Sequence, residues 1–421
     1  MNQAVRRHRQ ALFLLFLLAG IGTASWVTRT PALRDRLDVS TAQMGLVLFG
    51  LSLGAMAGIS SSGRLVARYG TRAVMRVGTV VLVVGLAAIC AGAAAASTAL
   101  VTLGLCAFGL GVGSGDVAVN VDATLVERDT GVTTMPALHG SYSLGTVIGG
   151  GAGMAAVAAD VPVSLHLAAV TLIATALFLY AMRSVPADAD RGRAAAPDMA
   201  EESSGQRRPA LWRERKLLLI GAIVLAMALA EGSANDWLPL LMVDGHGMSA
   251  MAGSLVYVGF AAAMTLGRFG GTYVLERFGP TAVVRASAVS GALGLLIVIV
   301  SDSAVLAGAA VLFWGLGAAL GFPLALSAAG ESGPDSAARV GLVATIGYVA
   351  FLVGPPGLGF LGEHVGLRGA MLVVLGGVAC AAFLAPAVEP SRRGRTASGA
   401  FPATADEAPR PSGDPARSEG A

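Results

Sequence analysis

Long apolar segments alternate with short polar ones along most of the chain. Each apolar segment holds about 20 to 30 residues, and a helix of that length crosses the hydrocarbon layer of a bilayer, which is about 30 Å thick. The pattern therefore predicts an all-α protein with twelve transmembrane helices in two sets of six. The predicted spans are residues 11–29, 41–62, 74–96, 98–126, 133–158, 162–183, 216–242, 250–274, 281–301, 304–329, 338–361 and 366–388.

Composition supports a polytopic membrane protein. Of 421 residues, 55% are hydrophobic and 13% charged, and mean hydropathy is +0.71. A water-soluble protein carries about 25% charged residues. An intrinsically disordered chain has low hydrophobicity and high charge, so this composition also excludes disorder. The surroundings are therefore a lipid bilayer, and the net charge of +3 is too small and too dispersed to indicate nucleic acid.

Basic residues predict the orientation of the spans. If the N-terminus is cytoplasmic, 24 of the 29 basic residues fall on the cytoplasmic side, four fall outside and Arg268 lies within a span. This bias predicts a multi-pass inner-membrane protein with both termini in the cytoplasm. The predicted parts are an N-terminal bundle (1–183), a polar cytoplasmic linker (184–215), a C-terminal bundle (216–388) and a disordered cytoplasmic tail (389–421).

The two halves repeat one another at nearly constant spacing. The loop after the second span contains Gly63, Arg68 and Gly70, and the loop after the eighth span contains Glu276, Arg277 and Gly279. These segments align at an offset of 209 residues. Ordered pairs of this kind indicate an internal duplication, which in membrane proteins places a binding site at mid-bilayer between the repeats. We interpret the six residues as gating-loop positions.

The twelve-span pattern, the central linker and the paired G-x-L-x-x-R-x-G loops resemble the major facilitator superfamily. Residues 230–237, 267–268 and 276–279 resemble its bacterial YbjJ/MosC-like subgroup, which is distantly similar to fucose permease. The resemblance implies two pseudo-symmetric six-helix bundles, alternating access, a small-molecule substrate and a monomer. The family's first loop usually carries Asp where this chain has Ala67, whereas Glu276 keeps an acid in the second loop.

Few ionisable residues lie at membrane depth, where each costs about 2.5–3.5 kcal/mol unless it faces a cavity or a partner. Asp116 and Glu231 are central in spans four and seven, and we interpret them as candidate proton carriers; the alternative is a permanent ion pair. Asn120 and Asn235 each follow one turn later on the same face. Arg268 is the basic residue inside a span, and could pair with Glu231, pair with an acid of span four, or bind an anionic substrate.

Polar aromatic residues supply further candidates for a substrate cavity. Hydroxyl, imidazole and indole groups can bind sugars or polyols, but at each position helix packing or the interfacial aromatic belt is the alternative. The cavity candidates of this type are Trp26, His139, Tyr142, Tyr257, Trp314 and Tyr348.

Enzyme signatures are missing from the sequence. It contains no nucleophile elbow, no Walker loop and no metal-ligand spacing, so we expect no catalysis, no cofactor and no metal. Without an ATP-binding motif, we expect transport to be driven by an ion gradient. We interpret the chain as a proton-coupled secondary transporter of a small polar solute, with sugars or polyols favoured. The alternatives are a proton-driven drug or metabolite exporter, favoured if Met227, Met242 and Met264 line the cavity, and a non-transporting receptor or scaffold.

The Ala67 departure yields a prediction. If control of the outward-facing state rests more on the C-terminal half, where Glu276 keeps the acid, Glu276→Gln will change the labelling of cysteines introduced on the cytoplasmic side. Unchanged labelling would rule out this role for Glu276.

Overall fold

A computed structural model describes residues 3–132, 134–186 and 211–389. These residues form helices and no strand. In chain order the helices are α1 (Gln3–Val27), α2 (Thr30–Leu37), α3 (Thr41–Tyr69), α4 (Thr71–Ala95), α5 (Thr98–Thr130), α6 (Met135–Ala158), α7 (Val163–Met182), α8 (Arg215–His246), α9 (Ala250–Val300), α10 (Ala304–Glu331) and α11 (Ser336–Leu384), followed by a 3₁₀ turn (Ala385–Val388).

Two of these helices each consist of two consecutive helices separated by a glycine with non-helical backbone angles. Gly279 divides α9 into α9a (250–278) and α9b (280–300), and Gly366 divides α11 into α11a (336–365) and α11b (367–384). Apart from the short α2, the described residues thus supply twelve helices of membrane-spanning length, confirming the all-α fold in two sets of six. Most of the predicted linker and nearly all of the predicted tail lie outside the described residues.

The duplication is visible in the backbone at matched positions. Gly70 between α3 and α4 has φ 81° and ψ 162°, and Gly279 between α9a and α9b has φ 76° and ψ 164°. Residues with a Cβ rarely adopt this conformation, so glycine is required at both turns. The serines that cap α3 and α9, Ser40 and Ser249, also lie 209 residues apart. The same local signals therefore begin and end corresponding helices in the two halves.

Within each half, helices pack closely through small residues. A Cβ on Gly54 of α3 would lie only 1.9 Å from the carbonyl oxygen of Cys106 in α5, and one on Gly317 of α10 would lie 2.3 Å from the amide nitrogen of Gly291 in α9b. No larger side chain fits at these points. This backbone-to-backbone packing is how helices associate in a bilayer, where the hydrophobic effect between them is weak.

Two pairs of helices join the halves. α3 packs against α11, and α6 packs against α9. We call the side that carries the start of α1 and the end of α11 the terminal side, and the opposite one the far side. Near the far side, Gly45 of α3 lies against Pro355 and Gly359 of α11a, and a Cβ on Gly45 would be 2.7 Å from the Pro355 carbonyl oxygen. The far side is therefore closed by tight contact between the halves.

The Gly45 contact predicts that Gly45→Val will separate the halves at the far side. Overpacking costs about 1–3 kcal/mol, so labelling of a cysteine at the buried position Leu358 by an impermeant maleimide should accelerate about tenfold or more. The background would carry alanine at Cys90, Cys106 and Cys380.

Gly376→Val is the matched control, because a Cβ at Gly376 would meet no atom within 4 Å. Equal labelling rates in the two valine variants would contradict the assignment of this contact as the far-side closure.

Candidate functional site

Charged groups from two helices of the C-terminal half form an ion pair at mid-span. Arg268 of α9a donates from Nη2 to Glu231 Oε1 of α8 at 3.1 Å. The two side chains remain 30% and 19% exposed, respectively, so water reaches the pair. Of the partners considered for Arg268 from the sequence, the structure thus brings it together with Glu231.

Asp116 of α5 faces the space between the halves. Its side chain is exposed although it lies near the middle of a long helix. Asp116 also lies within electrostatic range of Tyr348 of α11a, which belongs to the other half. Its carboxylate makes no ion pair with the residues that the structure describes.

Asp116 also borders a small pocket of about 40 Å³ within the N-terminal half. The pocket lies between α1, α4, α5 and α6. Its lining residues are Leu15, Phe16, Ala19, Thr79, Leu82, Gly111, Val112, Gly115, Asp116, Val119 and Tyr142. One carboxylate and one phenol thus lie in an otherwise largely apolar wall.

Two aromatic residues of α6 link the pocket to the ion pair. Phe16 packs edge-on against His139 and Tyr142, with ring centroids 5.5 and 6.5 Å apart. The Tyr142 phenol lies within electrostatic range of Asp116, Glu231 and Arg268, and Arg268 also acts on His139. The structure therefore gathers titratable groups from both halves around one space.

The asparagines hold neighbouring groups in place. Asn120 donates from Nδ2 to the backbone oxygen of Asp116 at 2.9 Å, one turn earlier in α5. Asn235 accepts a hydrogen bond from the Tyr257 hydroxyl at 3.3 Å, which ties α8 to α9a. The half-buried amides border the site, whereas Tyr257 is only 1% exposed and lies behind its wall.

Both tryptophan candidates are buried in this state. Trp314 is fully buried, donates from Nε1 to the Ala230 carbonyl oxygen at 3.1 Å, and packs edge-on against Phe260. Trp26 is 1% exposed within the packed core. The structure thus places both indoles in helix packing, the alternative considered from the sequence, because neither side chain reaches the surface.

The two gating loops are similar in structure. The Arg68 guanidinium lies 5.3 Å from the Tyr69 ring centroid, and Arg277 lies 5.7 Å from that of Phe278. Glu276 is exposed, and no atom lies within 4 Å of where a Cβ on Gly63 would be. Glu276 has no ion-pair partner among the described residues, so a latching role for it would belong to another state.

Sequence reasoning did not find the polar contacts that close the far side. Arg34 of α2 forms an ion pair with Asp244 of α8, and the Ser254 hydroxyl donates to the Thr28 carbonyl oxygen at 3.0 Å. Burial lowers the pKa of Arg34, but hydrogen bonds and charges from Asp244 and Asp35 outweigh it and raise the pKa overall. These partners lie more than 200 residues apart, so no local pattern signals them.

A carboxylate from one half also caps a helix of the other. Glu363 of α11a accepts a hydrogen bond from the Ala42 backbone N–H at 3.1 Å, in the first turn of α3. This bond, together with one from Ser40, lowers the pKa of the exposed Glu363 carboxyl. Such caps satisfy the free N–H groups at a helix start.

A second buried pair lies near the terminal side of the N-terminal half. His8 Nε2 of α1 lies 2.6 Å from Asp122 Oδ2 of α5, and Thr71 lies 3.4 Å from the other oxygen of this carboxylate. Asp122 thus holds three helices together, away from the central groups.

Comparison with known proteins identifies relatives over most of the chain. The Major Facilitator Superfamily model matches residues 11–340. An uncharacterized MFS-type transporter of Yersinia pestis is 31% identical over 353 residues, covering 83% of this chain and 88% of the relative. Membrane protein MosC of Rhizobium meliloti is 29% identical over 373 residues, covering 87% and 86%.

Solved structures share the fold at low identity. A D-xylose–proton symporter aligns with TM-score 0.73 and 13% identity, covering 91% of this chain and 97% of the symporter. The nucleoside transporter NupG aligns with TM-score 0.71 and 15% identity, covering 90% and 99%. The Escherichia coli fucose:proton symporter FucP aligns with TM-score 0.61 and 18% identity, covering 91% and 98%.

The Glu363 cap predicts that acid will loosen the far side. Because the pKa of Glu363 is lowered in the closed state, its ionised form stabilises that state at neutral pH, and the contribution is lost as the pH falls through this lowered pKa. The rate of maleimide labelling at Leu358→Cys, divided at each pH by the rate for the same cysteine in the unfolded protein, should therefore rise on acidification. The Glu363→Gln variant should label faster at neutral pH and lose this response; an identical pH response in both proteins would contradict the prediction.

Proposed function

The chain belongs to the major facilitator superfamily, and we propose that it is a proton-coupled secondary transporter of a small polar organic solute, with sugars or polyols favoured. The observation that carries this proposal is the mid-span arrangement of Asp116 from one half opposite the Glu231–Arg268 pair from the other. A multi-pass membrane protein has little structural reason to keep three ionisable groups at mid-span with their side chains at least partly exposed. The transport of protons or of a polar solute would be a functional reason to keep them.

The proposed substrate class follows from the groups around the space. Tyr142, His139 and Asn235 offer hydroxyl, imidazole and amide groups, and Phe16 offers an aromatic edge. Glu231 already neutralises Arg268, so the arrangement does not demand a charged solute. The names of the structural neighbours specify nucleosides, fucose and xylose, and extending this neutral polar class to the present chain is part of our proposal.

Proton coupling follows from the cost of removing charge from water. When the terminal side closes, Asp116 leaves water, and an ionised carboxylate then costs several kcal/mol. Protonation removes that charge and permits closure. Protonation of Glu231 in turn breaks its attraction to Arg268, which frees the guanidinium to change partners as the halves rock. Each step links a proton to a movement of the halves.

The proposed orientation places the terminal side in the cytoplasm of the bacterial inner membrane. It rests on the concentration of basic residues on that side. The structure would then correspond to a state open to the cytoplasm and closed to the periplasm.

An exporter with an apolar cavity has less support. The methionines that would favour it, Met227, Met242 and Met264, are at most 5% exposed and belong to the packed core. In this state they form no apolar lining for a hydrophobic drug.

A thermal-shift screen of the purified protein would identify the solute. The panel would contain sugars, polyols, nucleosides, amino acids, carboxylates and cationic drugs, since a ligand that binds the folded state raises the melting temperature. We expect a neutral polyhydroxyl compound to give the largest shift. A shift confined to cationic drugs would contradict the proposed substrate class.

The coupling residues are tested with that solute in proteoliposomes. One proton moving through 100 mV supplies about 2.3 kcal/mol, which sustains roughly 40-fold accumulation. Asp116→Asn and Glu231→Gln should each reduce accumulation to the external concentration while leaving solute exchange intact, because exchange requires no net proton movement.

Asp122→Asn is the matched control, since it makes the same chemical change in α5 at a carboxylate that pairs with His8. It should keep accumulation per folded protein. If both central variants accumulate the solute as the wild type does, the coupling assignment is wrong.

A further inference from the structure

A polar cavity lies at the terminal side of the N-terminal half, separate from the central site. It holds about 390 Å³ between the first turns of α1 and the end of α7. Its polar wall consists of Arg7, Gln10, Tyr180, Arg183 and Ser184, and Leu14 contributes to its apolar part. The proposed transport mechanism uses none of these residues.

Among the residues that the structure describes, no carboxylate compensates the charge around this cavity. Arg7 and Arg183 both line it, and neither guanidinium forms an ion pair with any described residue. Two positive groups facing one space repel each other unless an anion lies between them. Guanidinium groups bind phosphate oxygens through paired hydrogen bonds, so a phosphate would suit this position.

The depth of the cavity identifies the source of the phosphate. The arginines lie at the outer turns of two membrane-spanning helices, and Leu14 lies two turns deeper in α1. Tyr180, which is 63% exposed, has the position of an interfacial aromatic residue. Basic pockets between helices at this level bind lipid headgroups. Phosphate-binding groups near the surface, with apolar groups beneath them, match a phospholipid.

We propose that this cavity binds the headgroup of an anionic phospholipid. Arg7 and Arg183 hold its phosphate, Gln10 and Ser184 donate to its remaining oxygens, and an acyl chain follows the surface of α1 beside Leu14. The bound lipid joins the ends of α1 and α7 and stabilises the N-terminal half.

The test uses the full-length protein in phosphatidylcholine nanodiscs with increasing phosphatidylglycerol. The wild type should gain about 2–4 °C in melting temperature, and should retain one phosphatidylglycerol molecule in native mass spectrometry. The Arg7→Gln/Arg183→Gln variant should lose both effects.

The control is Arg213→Gln/Arg215→Gln, which removes the same charge from exposed arginines on the same side of the C-terminal half. It should keep both effects. Equal loss in the two double variants would show general attraction to an anionic surface and overturn the proposal.

Two further experiments establish whether the cavity binds a phospholipid, free phosphate or another segment of this chain. If inorganic phosphate or glycerol 1-phosphate produces the same melting shift without phosphatidylglycerol, the site binds free phosphate and the lipid assignment is wrong. Asp188 and Asp190 follow closely after the cavity in the sequence. If phosphatidylglycerol binds only after Asp188→Asn/Asp190→Asn, the chain itself fills the cavity and the proposal fails.

Ser184→Glu keeps the proposal testable if the double arginine variant does not fold. It places a carboxylate at the cavity while leaving both arginines in place. We expect it to abolish retention of phosphatidylglycerol, and undiminished retention would overturn the proposal.

Discussion

The cost of an unpaired charge away from water governs the arrangement of polar groups in this protein. A charge inside a bilayer is stable only beside a partner or in contact with water. The structure shows both solutions, because Asp122 pairs with His8 in a dry contact, whereas Asp116 remains exposed in the space between the halves. Glu231 and Arg268 combine both solutions, because they form an ion pair and their side chains are also partly exposed. Only the hydrated groups can exchange protons readily.

Contacts within the halves differ in kind from contacts between them. Inside a half, glycines bring helix backbones together at distances that no larger residue could reach, as Gly54 and Gly317 show. Between the halves, the far side combines one tight glycine contact with polar contacts such as those of Arg34 and Glu363. Polar contacts at a water-exposed edge can be exchanged for water at small cost. Rigid halves that move against each other are the expected result.

The structure agrees with some of the sequence-based predictions and not with others. Hydropathy and repeat spacing predicted the twelve spans and the matched loops that contain Gly70 and Gly279. The short helix α2 was missed, because its eight residues carry no long apolar pattern. Trp26 and Trp314 were considered for the cavity from their position along the helix, yet both are packed in the core. Helical position gives depth, but the direction of a side chain depends on which neighbours surround its helix.

The sequence by itself determined the membrane-spanning fold, the duplication and the short set of charged residues at mid-span. These features follow from segment length, composition and spacing, which act locally or repeat along the chain. Only the tertiary structure decided that Arg268 pairs with Glu231, that Asp122 pairs with His8, and that Glu363 caps α3. Such contacts join residues far apart in the chain, and their formation depends on how helices rotate and pack, a property that no local pattern encodes.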